Sequence, residues 1–564
     1  MRLRHVMLLA APLASAAVAC HDRGLDESDT PTDADPPVLV VSRPERATIS
    51  SGTGFIRVEG QASDGGSGIS RIDINGERVG VDPSGAFSTS ITPAPGTSLI
   101  HVVATDGSGN QASDTRAILA GTFVPLDQPV AEGLAVTLSP AAFATVGDLA
   151  AGLIGGADLG ALVAPLNPVL DTGVACLNAQ VNVTGVGKSA VRIELVPGAG
   201  RLALSVEVDD LDVPLQVPFE LACVGGDASA RITADRVRLG GDVLIDADGG
   251  LAVTLDGVTA SFDGFSLDVG AIPSQVVDLF ADQIGDIIAG ILVDQVDQLV
   301  APLLDEAIAG LAAGTTIDVL GAPVEVSASP RVATIDDSGA TLVLDTAVSA
   351  PSAAPGMVYL ASPQPLPALD HSADLALAVA DDALNQALAA LWAAGGLDLT
   401  IPLGGGDYGD VGVLFDRVHL TALLPPVVQS GPAGLSVALG DVRFAFEKED
   451  GGQVVATTSV VVNATAALTV AAAPDGGALA LQVVDPQVFA DFEEATGANQ
   501  LAADQVETLI SFVTTRALAA AGDLLGQVPI PSVAGASVEN LSVAAGADAP
   551  GYLVASGHLV KPAP

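Results

Sequence analysis

Six histidines, His5, His21, His101, His371, His419 and His558, are the side chains of this sequence best suited to exchange protons near neutral pH. Their spacing gives them no partner. A nucleophile activated by a base would need a serine on a G-x-S-x-G turn or an equivalent, and the chain has none. The H-E-x-x-H pair that binds catalytic zinc is also absent. Gly185–Ser189 (GVGKS) imitates a phosphate loop, but Asn182 holds the position of its first glycine. The glycine-rich turns at Asp64 (DGGSG) and Asp106 (DGSGN) offer carboxylates to a hard cation, yet turn geometry calls for the same residues. They are read as turns. His371 and His419 are read as surface or strand residues. The expectation is a protein that is not an enzyme, with no catalytic residue, no metal and no cofactor.

The cysteines carry more information. Residues 1–19 place Arg2 and Arg4 before an apolar stretch that ends in small residues, the pattern of an export signal. Ala17, Val18, Ala19 and Cys20 resemble a bacterial lipobox, which makes Cys20 the expected lipidation site and the first mature residue. The acidic, proline-bearing residues 20–36 then read as a flexible tether. With Cys20 lipidated, Cys176 and Cys223 remain as an even pair in an oxidising compartment, and a disulfide is expected. It would close a loop of about 48 residues.

Composition limits the partners. The 21 Lys and Arg against 67 Asp and Glu give a net charge of -46, which repels nucleic acid phosphates and anionic headgroups alike. Only 3% of residues are aromatic although 49% are hydrophobic, so the cores must be aliphatic. One window, Val454–Pro474, is long and uncharged enough to cross a membrane, but its β-branched residues and its Thr, Ser and Asn fit sheet strands better. No membrane-spanning helix is expected.

Residues 37–121 show short alternating runs punctuated by turns, the pattern of a small β-sandwich. Their vNG and D-x-x-G-N elements, at IDING and ATDGSGN, are similar to bacterial immunoglobulin-like repeats. Beyond Gly133 the strands alternate cleanly. Leu202, Leu204, Val206 and Val208 share one face, and after a bend Leu211, Val213, Leu215 and Val217 share one. Residues 274–311 change to helical spacing, with aspartates opposite the apolar side and Pro302 as an expected kink.

The body also repeats. Leu134–Val146 aligns with Leu375–Ala387, an offset of about 240 residues that exceeds any solenoid period. Each copy runs from a strand into a helix, and each closes with a long helix leading into paired strands. This order, the Cys176 and Cys223 pair, the ASPQPLPALD connector and the second start ADLALAVADDALNQALAALWAAGGLDLTI, with Asp381, Asn385, Gly396 and Leu397 in place, resemble the tubular lipid-binding superfamily. The nearest likeness is to bactericidal/permeability-increasing, lipopolysaccharide-binding and cholesteryl ester transfer proteins.

The resemblance implies an α+β fold: the immunoglobulin-like β-sandwich followed by a duplicated, boomerang-like pair of curved antiparallel β-barrels, each wrapped on a long α-helix. The expected domains are 37–121 for the sandwich, 122–349 and 371–564 for the two barrel-helix units, and 350–370 for the connector. Phospholipid or another acyl lipid would lie between barrel and helix, against Phe143, Val146, Ile284, Ile288, Ile291, Leu292 and Leu299 in the first unit. Leu384, Leu388, Leu509, Phe512 and Val513 are the second unit's candidates. A chain this acidic lacks the cation cluster of the endotoxin-recognising members. The expected setting is an exported lipoprotein of the bacterial cell envelope, anchored through Cys20, with His21 favouring the outer membrane. The competing reading is a noncatalytic surface scaffold or adhesion protein that uses its immunoglobulin-like domain to bind a partner of unknown identity.

Overall fold

The computed structural model describes residues 33–246, 252–293, 315–319, 322–354, 356–404, 408–431, 434–472, 478–493, 505–506, 508–514, 527–529, 536–546 and 549–561. Cys20, the expected export signal and most of the expected tether lie outside these residues. No single helix among the described residues is long and apolar enough to cross a membrane. Val454–Pro474 falls largely within the strand Gln453–Ala472.

The first core lies between two sheets. One orders Val38–Arg43, Ile56–Ser63 and Ala86–Ile91. The other orders Thr48–Ser51, Gln111–Pro125, Gly96–Asp106, Ile69–Ile74 and Glu77–Val79. Alternation turns Val58, Ile72, Ile74, Phe87, Ile100 and Val102 inward. Asn75 and Gly76, with φ of 51° and 83°, link Ile74 to its partner Glu77, the two-residue turn that twisted hairpins favour. The strand Gln111–Pro125 then runs past the sandwich. Its last residues, Thr122–Pro125, pair with Val358–Ala361 from the segment expected to be a connector.

The duplication is visible as topology. At its axis the opening strands of the two copies, Val130–Leu138 and Leu375–Ala380, pair antiparallel with Val136 opposite Leu377. Outward from this pair each copy adds its own closing hairpin in the same order. The first copy contributes Gly339–Ser349 and then Ala322–Asp336, the second Ala549–Val560 and then Ser537–Gly546. Thr315–Val319 extends the first side.

Each copy also builds a long-stranded meander. The first orders Leu170–Val174, Leu177–Val183, Arg201–Leu221, Val224–Asp246 and Ala252–Asp263, with Ala190–Gly198 paired on the third. The second orders Asp398–Pro402, Arg417–Ala422, Gly434–Asp450, Gln453–Ala472 and Ala478–Phe492, with Val427–Gly431 paired on the third. The copies differ in the last short strand, since Ser266–Asp268 pairs with the fourth strand and Gln527–Pro529 with the fifth. In the long third strand all eight expected positions from Leu202 to Val217 are buried. The buried face passes from even to odd positions around Asp210, whose φ is 51°. Asp441, with φ of 47°, marks the same change in the second copy and sits at a bulge between Leu439 and Val442.

Five helices matter for the site. Helix α1 (Pro140–Gly156) starts where Ser139 Oγ accepts the Ala142 amide and proline takes an early position. Helix α2 (Leu159–Val163) is capped by Asp158. Helix α3 (281–293) follows a short helix, Ser274–Val277, and a turn at 278–280. The helix expected over 274–311, with its kink at Pro302, is interrupted already at 278–280, and Pro302 lies outside the described residues. Helix α4 (Asp381–Ala393) opens the second copy and α5 (508–514) belongs to its closing helix.

Candidate functional site

In the first copy Phe143 and Val146 on α1 and Ile284 and Ile288 on α3 are buried in one apolar cluster with Leu204, Leu211 and Val243 of the meander. Ile291 and Leu292 pack on its rim half-buried, and Leu299 lies outside the described residues. The positions 284, 288 and 291 recur at helical spacing, which is why a single face of α3 meets the sheet, and 280, in the turn before it, continues the row. Phe280 is fully buried at the head of that row and was missed as a candidate. Its place four residues before Ile284 is the signal that would have found it.

In the second copy Leu388, Leu509 and Val513 are buried in a separate cluster with Phe415, Phe444 and Phe446. Phe512 is half-buried, its ring centroid 5.9 Å from those of Tyr408 and Phe446, both edge-on. Leu384 is half-buried and packs against both clusters, so it joins the two interiors.

The resemblance picked out Asp381 and Asn385, and the structure gives them a mechanical task. They sit with Asp382 and Gln386 as four buried polar side chains on the first turns of α4. Asp381 accepts the Ser430 amide at 3.0 Å and Asp382 the Ser362 amide at 2.7 Å. Asn385 exchanges hydrogen bonds with both backbone groups of Val428, at 2.8 and 2.9 Å. Gln386 accepts the Val348 amide and donates to the carbonyls of Leu126 and Gln128. One helical turn thus fastens the connector, the second meander and both ends of the first copy. Burial pushes the Asp381 carboxyl up to about 7 and raises that of Asp382 too.

A second polar cluster holds the sandwich against the second copy. Arg46, with 10% of its side chain exposed, donates to Asp441 Oδ1 at 3.0 Å, Asp114 Oδ1 at 3.2 Å and the Thr115 carbonyl at 2.9 Å. Glu493 lies 3.2 Å and Asp491 3.9 Å from the same guanidinium. Asp441, fully buried, also accepts the Ala47 amide at 2.7 Å, and Asn463 spans Asp441 and the Thr115 carbonyl. Asp491 accepts the Thr115 amide at 2.9 Å, and burial pushes its carboxyl up to about 7. Around this cluster Ala117, Leu119, Leu360, Leu424 and Val427 make an apolar seam. Gly440 is required there, because a Cβ would stand 2.8 Å from that of Ala117.

The remaining candidates are placed as follows. Cys176 and Cys223 form the expected disulfide, joining the hairpin turns Ala175–Cys176 and Ala222–Cys223 at one end of the first meander. His419 lies in the second meander, 2.8 Å from Thr400 Oγ1, and His371 lies beside Gly339 at the end of a first-copy hairpin. His371 is in a turn and His419 in a strand, and nothing among the described residues pairs the two. Asp33, Asp64 and Asp106 bring oxygens within 4.8 Å of one another, and each accepts nearby backbone amides. A polar groove of about 580 Å³ opens on the sandwich between Asp64, Arg71, Arg78 and Asp82. Its arginines are engaged, Arg71 with Asp73 and Arg78 with the Ser70 carbonyl.

Among solved structures, the chain is similar to a lipopolysaccharide binding protein, at 14% identity and a TM-score of 0.41 over 77% of this chain and all of that one. It is also similar to P47 of Clostridium botulinum E1, at 6% identity and 0.24 over the same shares. Fibronectin(III)-like modules of Clostridium thermocellum CbhA match 15% of this chain and 47% of theirs, at 24% identity and 0.14. No curated protein matches the sequence. Residues 37–122 match the family described as glucodextranase, domain B.

Proposed function

We propose that this protein is a noncatalytic carrier of phospholipid or another acyl lipid, exported and held to a bacterial cell-envelope membrane through lipidated Cys20. The observation that carries the proposal is the duplicated unit. Two copies stand about one axis of the central sheet, each packing an apolar helix face on a long-stranded meander. In this reading each meander and its helix act as a barrel around hydrocarbon, the pair forming the arms of a boomerang. Phe143, Val146, Ile284 and Ile288 line one interior, and Leu388, Leu509, Phe512 and Val513 the other. An acyl chain of ~16 carbons resists water by about 13 kcal/mol, so an apolar sleeve lets it cross an aqueous gap. The headgroup stays at the mouth.

The test is native mass spectrometry with lipid extraction on Cys20→Ala protein made in a periplasm. Discrete bound masses releasing an acyl lipid are the expected result. Protein that arrives empty and takes up no added lipid overturns the carrier reading in favour of the scaffold. One surface already argues against the scaffold: the sandwich strands Gly96–Asp106 and Gln111–Pro125 turn part of their outer face onto the body.

A further inference from the structure

The two copies part ways at their opening helices. The alignment puts Pro140, Ala141, Ala144 and Thr145 of α1 where α4 carries Asp381, Asp382, Asn385 and Gln386. The turn that fastens the second copy is therefore nonpolar or solvent-facing in the first, and α1 has no counterpart of those buried bonds. Instead the chain bends by 77° between Pro140–Gly156 and Leu159–Leu166, making an elbow. Its outer side exposes Leu153 by 61%, Leu162 by 38% and Leu166 by 47%. On the same stretch Gly152, Gly155 and Gly156 face open space, where an added Cβ would meet nothing within 4 Å. From Leu149 to Leu166 the one charged side chain is Asp158, whose carboxylate accepts the Ala161 amide at 3.1 Å and caps α2.

We propose that this elbow is the surface by which the protein docks on a lipid bilayer with zwitterionic headgroups, its leucines entering the acyl region. The proposal rests on the carrier reading and adds that docking belongs to the first copy alone. Three properties select a bilayer over a protein. The elbow offers no Trp, Tyr or Arg, the side chains that dominate protein recognition sites. Three leucines and their small neighbours fall well short of the roughly 800 Å² per partner of a standard interface, so a second copy is a poor fit. Hydrocarbon with no fixed polar partner is what the acyl boundary accepts. Charge narrows the lipid. A body of net charge -46 is repelled by anionic headgroups, and the elbow is the stretch that brings almost none of that charge to a neutral surface. The elbow's inner side, Ile154, Leu159 and Val163, is buried in the cluster that holds Phe143 and Ile284. A docked elbow would thus adjoin the first interior.

The experiment is flotation of the full chain carrying Cys20→Ala with phosphatidylcholine vesicles, alongside lipid extraction and light scattering of the same samples. The parent should float, and Leu153→Glu/Leu162→Glu should lower the bound fraction about tenfold or more, with bound lipid and melting unchanged because both side chains are exposed. Val413→Glu, at a position 76% exposed on the second copy's helix Gly409–Leu414, should float as the parent does. A double variant that floats like the parent overturns the elbow. So does a parent that carries lipid yet fails to float, or one that self-associates through these leucines. A parent that floats through the elbow but carries no lipid leaves the docking surface standing and removes the carrier reading.

Discussion

Replacing Arg46 should uncouple the sandwich from the second copy and destabilise both. Its guanidinium stands among Asp114, Asp441, Asp491 and Glu493, and it is 10% exposed while Asp441 is fully buried. Arg46→Met keeps most of the packing volume and removes the charge, which strands a buried carboxylate with no cation in contact. Breaking a buried pair in this way costs about 3–5 kcal/mol. Trp392, the only tryptophan, reports on the event. Its indole donates to the Ala422 carbonyl at 2.7 Å, two residues before Leu424 in the apolar seam. Urea denaturation followed by Trp392 emission should show the loss, and limited proteolysis should find the sandwich strands opened at lower urea. Arg43→Met, removing an exposed pair with Glu59, should change stability by no more than about 1 kcal/mol. Adding Asp441→Asn to Arg46→Met should restore about 1–3 kcal/mol, because the stranded charge is gone. An Arg46→Met protein within about 1 kcal/mol of the parent, or a double variant no better than the single, would refute the reasoning.

Three further outcomes follow from the same structure. Burial holds the Asp381 and Asp491 carboxyls near 7, so the folded chain keeps protons that the unfolded chain releases from about pH 4 upward. Their contribution is complete below about pH 4 and is lost as the pH rises through 7, so Asp491→Asn should flatten the fall in urea midpoint between about pH 4 and 7. An unchanged slope contradicts it. Asp209, Asp336 and Asp416, lowered by side-chain or backbone hydrogen bonds, act in the separate window below about pH 4 and leave this slope alone. Cys223→Ser should lower stability by about 2–5 kcal/mol, and dithiothreitol should do the same to the parent but not to the variant. A parent indifferent to reductant would show that the cross-link is not formed in solution. Finally, Ile288→Phe should overfill the first interior at about 1–3 kcal/mol and reduce the acyl lipid extracted per protein, whereas Val413→Phe should not. Equal lipid content in the two variants counts against Ile288 as a pocket residue.

What the sequence made legible was whatever is encoded locally or repeated. The Asn75-Gly76 turn, the alternation from Leu202 to Val217 and the helical row through Ile284 and Ile288 each reflect a backbone period of a few residues. The duplication was readable because an insertion-free stretch of 13 residues survived in both copies, and the topology extends it to the whole order of strands. The break at 278–280 was not readable, because the apolar period continues across it and only hydrogen bonding shows the turn. Nor was the Arg46 cluster. Its partners run from Asp114 to Glu493, none of them near it in the chain, and nothing in the local pattern separates Arg46 from the exposed Arg43. Asp441 is likewise one aspartate among many until the bulge turns it toward the sandwich.

That bulge shows one repeated plan put to two uses. Asp210 and Asp441 occupy matching places, each with positive φ where the buried face changes. Asp210 accepts the Ser189 hydroxyl at the surface of the first copy, while Asp441 is captured by Arg46 and sealed under the sandwich. The same contrast separates α1, with its open elbow, from α4, fastened by four buried polar side chains. In both comparisons the second copy's element is fastened by buried polar bonds and the first copy's counterpart is not. A chain that held both copies equally would have no reason to bury costly carboxylates in one alone. The asymmetry is explained if the second copy and the sandwich form a rigid base and the first copy is the part that meets a partner surface.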